Sequence, residues 1–591
     1  MKALNSDNDS SHFLIKQTVR KLYTTFLISS VTLNICFLID GLCTSVFVGV
    51  NGVAAIGIIA PIGCISWLFI NILGKGGVIV SGQKIGKGDT KSAKAIFNFI
   101  LVLELVIALI YSTVIFIFSE PLAFVMGAED ILLPYATSYL KGLSLGFPFL
   151  ILYGVLMHFC SFDGAEKNRL FAMAAITVTD IICNILFAKL LGLGMFGLGL
   201  ATACSNLAGF LFLLPPYLKK DHIISIDLKS SNPAFLSDIL KKGIPEGSFE
   251  ICNFLCPVII NKILIYFGGI LLVSILAVVN SAKGTLNSII YAIGDTSVSM
   301  GSFFTGEEDT DSIVQLGKST LYNALAYDIC VSLLIIVFLN PISNALSGGS
   351  IEVSMLSHPA FLCVLISLFF TVFAETFARL YFSQGKSTLV SVYNILSYFI
   401  LPIFFALICV SALPMNLKWI YIFLPQLTIL VLIYIAVALK IKTFIPSFEQ
   451  MITFASTFKL QNEDRLFLSV NNKESSIEAS SRVIDFIKQH DLPSKTAYFG
   501  GLAVEEMTIN ILAYGYKKNN LKNIAVCAIY KENKIEIKIR DNGISFNPTS
   551  YAAQFTNEDP TKNIGIKMTA RISKEMNYQN LFHLNMLTIK L

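Results

Sequence analysis

Apolar runs separated by short polar breaks fill the chain from about Thr24 to Lys440. A bilayer crossing needs about 20 apolar residues. Twelve runs meet that length, near 24–48, 53–74, 95–119, 136–160, 169–190, 195–218, 243–267, 270–292, 318–340, 355–382, 387–411 and 417–439. They predict an all-α polytopic membrane region. Beyond Lys442 the pattern changes to that of a soluble domain of ordinary size. Strands are predicted at 466–470, 524–530, 534–540 and 583–590, and helices at 475–489, 496–516 and 564–576. The two central strands alternate and join at Lys531-Glu-Asn, so the tail reads as a layered α+β domain.

Composition and charge sharpen this picture. The 591 residues are 54% hydrophobic and 14% charged, against about 25% charged in ordinary soluble domains. A net charge of +5 excludes nucleic acid as the main partner. The stretch Met1–Ser11 is polar and lacks a signal-peptide layout. Eleven of the twelve Cys lie before residue 442, in or beside apolar runs and without C-x-x-C spacing, so they read as small hydrophobes. Loops carrying Lys84, Lys87, Lys91, Lys94, Lys167, Arg169, Lys219, Lys220, Lys241 and Lys242 alternate with loops that lack Lys and Arg, such as 119–131 and 340–358. By the positive-inside rule both termini are cytoplasmic, in agreement with an even span count.

One carboxylate, Asp40, lies inside the first span. Its cost there is at least about 2.5–3.5 kcal/mol, which makes it a candidate for binding a cation or proton. The two membrane halves also repeat at an offset of 220 residues. Asp89, Thr90 and Ser92 recur as Asp309, Thr310 and Ser312; Phe47, Gly49 and Val53 as Phe267, Gly269 and Val273; Phe162 as Phe382. Asp40 itself has Ile260 as its counterpart. A duplicated six-span unit is the parallel-repeat plan of transporters, with a substrate site between two lobes. The expected divisions are 1–22, an N-terminal segment; 23–220, the first lobe; 221–242, the inter-lobe loop; 243–442, the second lobe; 443–464, a linker; and 465–591, the tail domain.

Asp40 followed by Phe47-Val-Gly49-x-x-Gly52, the Gly86-x-Gly-Asp89 loop, Asn184, and Gly197-Leu-Gly199-Leu-Ala201-Thr202 resemble the multidrug and toxic compound extrusion (MATE) family over residues 15–445. The resemblance implies a bacterial cell-membrane antiporter that exports amphipathic organic compounds in exchange for H⁺ or Na⁺. Asp40, Asn184 and Thr202 match the family's polar cluster. Where members often carry a second Asp, this chain has Ala188, and Asp180, one helical turn before Asn184, is its candidate replacement. Glu250 and Glu375 are candidates for a second cation site. Glu375 also has Arg379 at i+4, the spacing of a helical ion pair. Glu246 reads as an interfacial residue.

Three stretches of the tail resemble the GHKL ATP-binding sandwich, above all the anti-sigma-factor serine kinases: Glu506-Met-Thr-Ile-Asn510, Asp541-Asn-Gly543, and Asn563-Ile-Gly565. Glu506 and Asn510 share a helix face, where the carboxylate orients a water or hydroxyl and the amide oxygen ligates Mg²⁺. Asp541 can accept a hydrogen bond from adenine, and Gly565 opens a helix whose N–H groups suit phosphate. Thr549–Lys562 is long enough for a lid. The resemblance implies ATP and Mg²⁺ as cofactors and an anti-sigma-antagonist-like protein as partner. Three functions follow: a drug/cation antiporter with an ATP-binding regulatory domain, a membrane-anchored sensor kinase without transport, and a flippase of lipid-linked precursors. The last requires basic residues in the cavity, and the expected cavity residues are acids.

Overall fold

A computed structural model describes residues 2–219, 222–347, 350–454, 464–516, 522–531, 533–554 and 564–591. Two compact units divide the chain: Leu22–Ser456, and Thr457–Leu591 joined by Met1–Lys21. In the first, ten helical segments are long and apolar enough to cross a membrane. An eleventh span is the pair Leu132–Ser144 and Phe147–Phe159, bent by 53°. The 74-residue segment Pro233–Gly306 holds two, because the chain turns at Gly269 with φ 66° and ψ −160°. The described residues therefore supply the twelve predicted spans.

The repeat is structural as well. Thr90–Ile117 and Thr310–Val337 are both 28-residue helices, and each is capped by the preceding Asp. Asp89 Oδ1 accepts from Ser92 N at 3.0 Å, and Asp309 Oδ1 from Ser312 N at 3.1 Å. The turns at Gly49 and Gly269 both use positive φ, 94° and 66°, which a glycine adopts without strain.

The two halves meet at the end of the spans that carries the basic loops. There the helix Gly76–Gly86 packs on the helix Ser288–Gly306. A Cβ on Gly243 would fall 1.9 Å from Ile72 O, so the backbones cross with no room for a side chain. Asn34 Nδ2 donates to Ser288 Oγ at 3.0 Å, and the Tyr23 and Tyr327 rings stack at 5.7 Å.

The expected linker 443–464 is only partly a linker. Ser447 opens the short helix Phe448–Thr453 with a reciprocal capping box. Ile452 is fully buried and packs on Gly317 and Leu380, so this helix is docked on the membrane unit. The remainder, 455–463, lies outside the described residues.

The tail unit holds a five-stranded antiparallel sheet. Its strands are β1 (Arg465–Val470), β2 (Ile524–Lys531), β3 (Lys534–Asp541), β4 (Glu575–Leu581) and β5 (Leu584–Lys590), in the order β1-β2-β3-β5-β4. The helices Lys473–Gln489 and Ser494–Tyr514 pack together and bury Val483, Ile487 and Val504 against Ile537 and Ile589. Asn542 Nδ2 donates to Gln17 at 3.1 Å within this unit. The expected helix 564–576 ends at Ile572, and β4 begins at Glu575, inside the expected helix. A polar edge strand gives little alternating pattern. Its hairpin turn also lacks the usual Asn-Gly signal: Phe582 and His583 take φ of 56° and 62°. The expected lid begins with the helix Pro548–Gln554, while 555–562 and Asn563 lie outside the described residues.

Candidate functional site

The first-lobe cluster is assembled by the fifth span. Its helix Glu166–Cys183 passes into a π-helical segment, Asn184–Leu190, a local widening frequent at functional sites. Asn184 is buried and its Nδ2 donates to Asp180 Oδ2 at 2.9 Å and to Asp40 Oδ1 at 3.1 Å. Asp180 therefore joins Asp40, as the one-turn spacing suggests. Ligand atoms of Cys36, Asp40 and Asp180 lie within 4.8 Å of one another. Two carboxylates this close in an apolar medium repel, and a proton or a cation between them relieves that repulsion. Asp180 Oδ1 and Asn184 Oδ1 are buried without a hydrogen-bond partner, so the site retains acceptors. Thr202 hydrogen-bonds neither acid: its hydroxyl donates to Leu198 O at 3.3 Å and lies beside Tyr139. Ala188 is buried among apolar side chains. Tyr139 also stands beside the two acids and was missed by sequence reasoning. Cys36, read from the sequence as a small hydrophobe, was missed too; its position one turn before Asp40 on the same helix face is the signal that places it here.

The second-lobe acids belong to a buried ion network. Glu375 Oε2 accepts from Arg379 Nε at 2.7 Å, and Glu375 Oε1 accepts from Tyr393 OH at 2.8 Å and from Tyr398 OH. Glu375 is thus an ion-pair partner in this arrangement. Glu246 corrects the sequence reading. It is fully buried, not interfacial, and binds Arg379 Nη1 on one oxygen and Lys75 Nζ, at 3.0 Å, on the other. Lys75 comes from the second span, so Glu246 ties the two lobes. Asn71, one turn earlier, donates to Glu250 Oε1 at 2.8 Å, and Arg169 binds Asp295 at 2.9 Å across the same boundary. Neither Lys75 nor Asn71 had a visible partner in the sequence, because the partners lie more than 170 residues away. Glu246→Ala leaves the buried Lys75 without its carboxylate and Arg379 with Glu375 alone, a loss of about 3–5 kcal/mol. A marked fall in the thermal midpoint of the purified protein is expected; an unchanged midpoint would show that the network is dispensable.

In the tail, the end of β3 and the helix Ser494–Tyr514 wall a cavity of about 470 Å³. Asn510 and Asp541 line it, with Phe546, Tyr551 and Tyr578 among its rings. Asp541 Oδ1 accepts from Gly543 N at 2.7 Å and Asn585 Nδ2 at 2.8 Å. Its second oxygen has no partner among the described residues, and it is the atom available to a donor in the cavity. Burial raises the Asp541 carboxyl above its ordinary value, against those two hydrogen bonds. A Cβ on Gly543 would lie 2.5 Å from Gly515 O, so the loop needs glycine there. Glu506 packs against Gly565, where a Cβ would fall 1.8 Å from Glu506 Oε2. Neither of these two is among the cavity walls, and Asn585 was absent from the sequence candidates. The donor set fits a purine nucleotide: a free carboxylate oxygen, aromatic walls and an amide that can ligate Mg²⁺.

Residues 26–190 match the MatE family, and residues 471–591 match the histidine kinase-like ATPase domain. The chain joins a MatE domain to a histidine kinase-like ATPase domain. The chain is 26% identical over 273 residues to the multidrug export protein MepA of Staphylococcus aureus (strain MSSA476). The same protein of Staphylococcus saprophyticus subsp. saprophyticus is also 26% identical over 273 residues. The match covers 45% of this chain and 60% of either relative. The MATE fold extends further. A mutant of the Vibrio cholerae MATE transporter VcmN superposes with a TM-score of 0.68 at 18% identity, covering 73% of this chain and 98% of that one. An outward-facing multidrug resistance MATE family transporter of the MOP superfamily gives 0.66 at 21% identity, covering 72% and 96%.

Proposed function

We propose that the MatE region is an antiporter that exports amphipathic organic compounds in exchange for H⁺ or Na⁺, and that the ATPase-like domain regulates it. The observation that carries the reading is Asn184 holding Asp40 and Asp180 together inside the first lobe. A proton or cation taken up by the two acids changes the charge of that lobe, and a differential affinity between two lobe arrangements is what couples an ion to transport. The Lys75–Glu246–Arg379 ties close the end that bears the basic loops, the cytoplasmic end by the charge rule. Breaking and remaking them alternates access.

For the tail, the reading is nucleotide binding without a power stroke. The chain has no G-x-x-x-x-G-K-[ST], the loop such an ATPase needs. Asp541 would hold the adenine amino group and Asn510 would ligate Mg²⁺; bound ATP supplies charge and, where a partner hydroxyl is presented, a transferable phosphoryl group. Asn542, next to Asp541, bonds Gln17 of the N-terminal segment that belongs to the same unit. A small anti-sigma-antagonist-like protein is the partner suggested by the tail's resemblance. The test is uptake of a fluorescent organic cation into proteoliposomes under an imposed H⁺ or Na⁺ gradient, with and without ATP. Gradient-driven uptake modulated by ATP is expected. Absence of uptake under both gradients would leave a sensor kinase as the better reading.

A further inference from the structure

We infer that the second lobe holds a subsite for an organic anion, the carboxylate head of an amphipathic compound. This inference rests on the reading of the MatE region as an exporter of amphipathic molecules. Between the seventh, eighth, tenth, eleventh and twelfth spans lies a cavity of about 170 Å³. That is too small for a whole drug-sized molecule, whose pockets run to about 300–1,000 Å³, and suits one head group.

The cavity is the counterpart of the Asp40 site in the internal repeat. Cys36, Asp40 and Thr202 recur 220 residues later as Cys256, Ile260 and Ile422, and all three of the latter line the cavity. The cysteine is kept and the acid is gone. Lys283 enters from the eighth span, where the first lobe has Gly63. Among the lining residues it is the single Lys or Arg, and none is Asp or Glu. Glu250, one turn before Asn253 on the same helix, is engaged by Asn71. The Lys283 ammonium makes no ion pair and no hydrogen bond among the described residues, and Lys283 lines the cavity. The two pseudo-equivalent sites thus carry opposite charge.

Lys283 does not escape to an interface. About 21 Å of helix separates it from the turn at Gly269, farther than a lysine side chain extends. An uncompensated ammonium at that depth is costly and calls for an anion. Asn253, Asn280 and Asn287 also line the cavity, their side-chain amides without hydrogen-bond partners among the described residues, so amide donors surround the charge. Phe249 and Tyr398 on the wall suit an aromatic ring next to the acid. An amine on the same molecule has the Asp40 pair in the other lobe. The basic residue sought for a precursor flippase is therefore present, in the second lobe.

The test uses the full chain in phosphatidylcholine nanodiscs, free of anionic lipid, with one rhodamine dye as its free acid and as its methyl ester. Binding is read by fluorescence anisotropy. Lys283→Met is expected to weaken the free acid by at least about tenfold, the loss of one charge-assisted contact. The ester's affinity is expected to stay unchanged, which also reports that the variant is folded, and Lys283→Arg is expected to keep the acid bound. Equal losses for both dyes, or no loss for either, would overturn the anion subsite alone. If neither dye binds the unaltered protein, the exporter reading falls together with it.

Discussion

Asp40→Asn is expected to reduce gradient-driven export to the rate of protein-free liposomes while the protein still folds. Asn184 Nδ2 donates to Asp40 Oδ1, and an Asn side chain retains an acceptor oxygen for that bond. What it loses is the negative charge and the ability to take up a proton. Without a titratable or cation-binding group, the ion has no differential affinity for the two lobe arrangements and no means of shifting them. Asp180 shares the same amide and lies with Cys36 and Asp40 inside one 4.8 Å cluster, so Asp180→Asn is expected to lose coupling nearly as fully. Transport at the unaltered rate by Asp40→Asn under both gradients would refute the coupling site. An unchanged ion dependence in Asp180→Asn would leave Asp40 acting alone.

The second large effect is expected in the tail. Asp541→Ala and Asn510→Ala each remove a polar group from the cavity wall. Leaving one partner of a buried hydrogen bond unmet costs about 1–3 kcal/mol, or roughly 5- to 150-fold in affinity. Titration of the full chain with Mg-ATP measures it; equal binding by both variants and the unaltered protein would exclude this cavity as the nucleotide site. A pH series gives an independent check. The Asp541 carboxyl is raised by burial, so its ionised fraction falls on acidification sooner than that of an exposed aspartate. Only the ionised carboxylate leaves its free oxygen as an acceptor alone. Affinity for ATP is therefore expected to drop as the pH is lowered, beginning above the ordinary range near about pH 4. An affinity flat down to that range would remove Asp541 from adenine recognition.

Much of this molecule was legible in local patterns. Apolar length alone marks twelve spans, since each helix needs only its own residues to satisfy its backbone in lipid. The 220-residue repeat was visible in Asp89/Asp309 and Gly49/Gly269, because caps and positive-φ turns demand particular residues at particular places. Asp180 was legible through its helical spacing to Asn184. The polar strand Glu575–Leu581 was not, since its hairpin turn uses Phe582 and His583 where an Asn-Gly pair would have announced it.

The partners of charged groups were decided by the tertiary structure. Asp40 meets Asn184 across 144 residues, Glu246 meets Lys75 across 171, and Arg379 meets Glu246 across 133. Nothing in the neighbourhood of Glu246 distinguishes a buried bridge between lobes from an acid at the membrane surface. Its two cations arrive from helices distant in sequence, and only their crossing makes the burial tolerable. Lys283 is the converse case. It sits in an apolar run like any other stray lysine until the fold places it in a cavity that holds no acid. Periodicity and caps are properties of neighbouring residues, so the sequence carries them openly; the net charge of a cavity is a sum over groups that meet only in three dimensions.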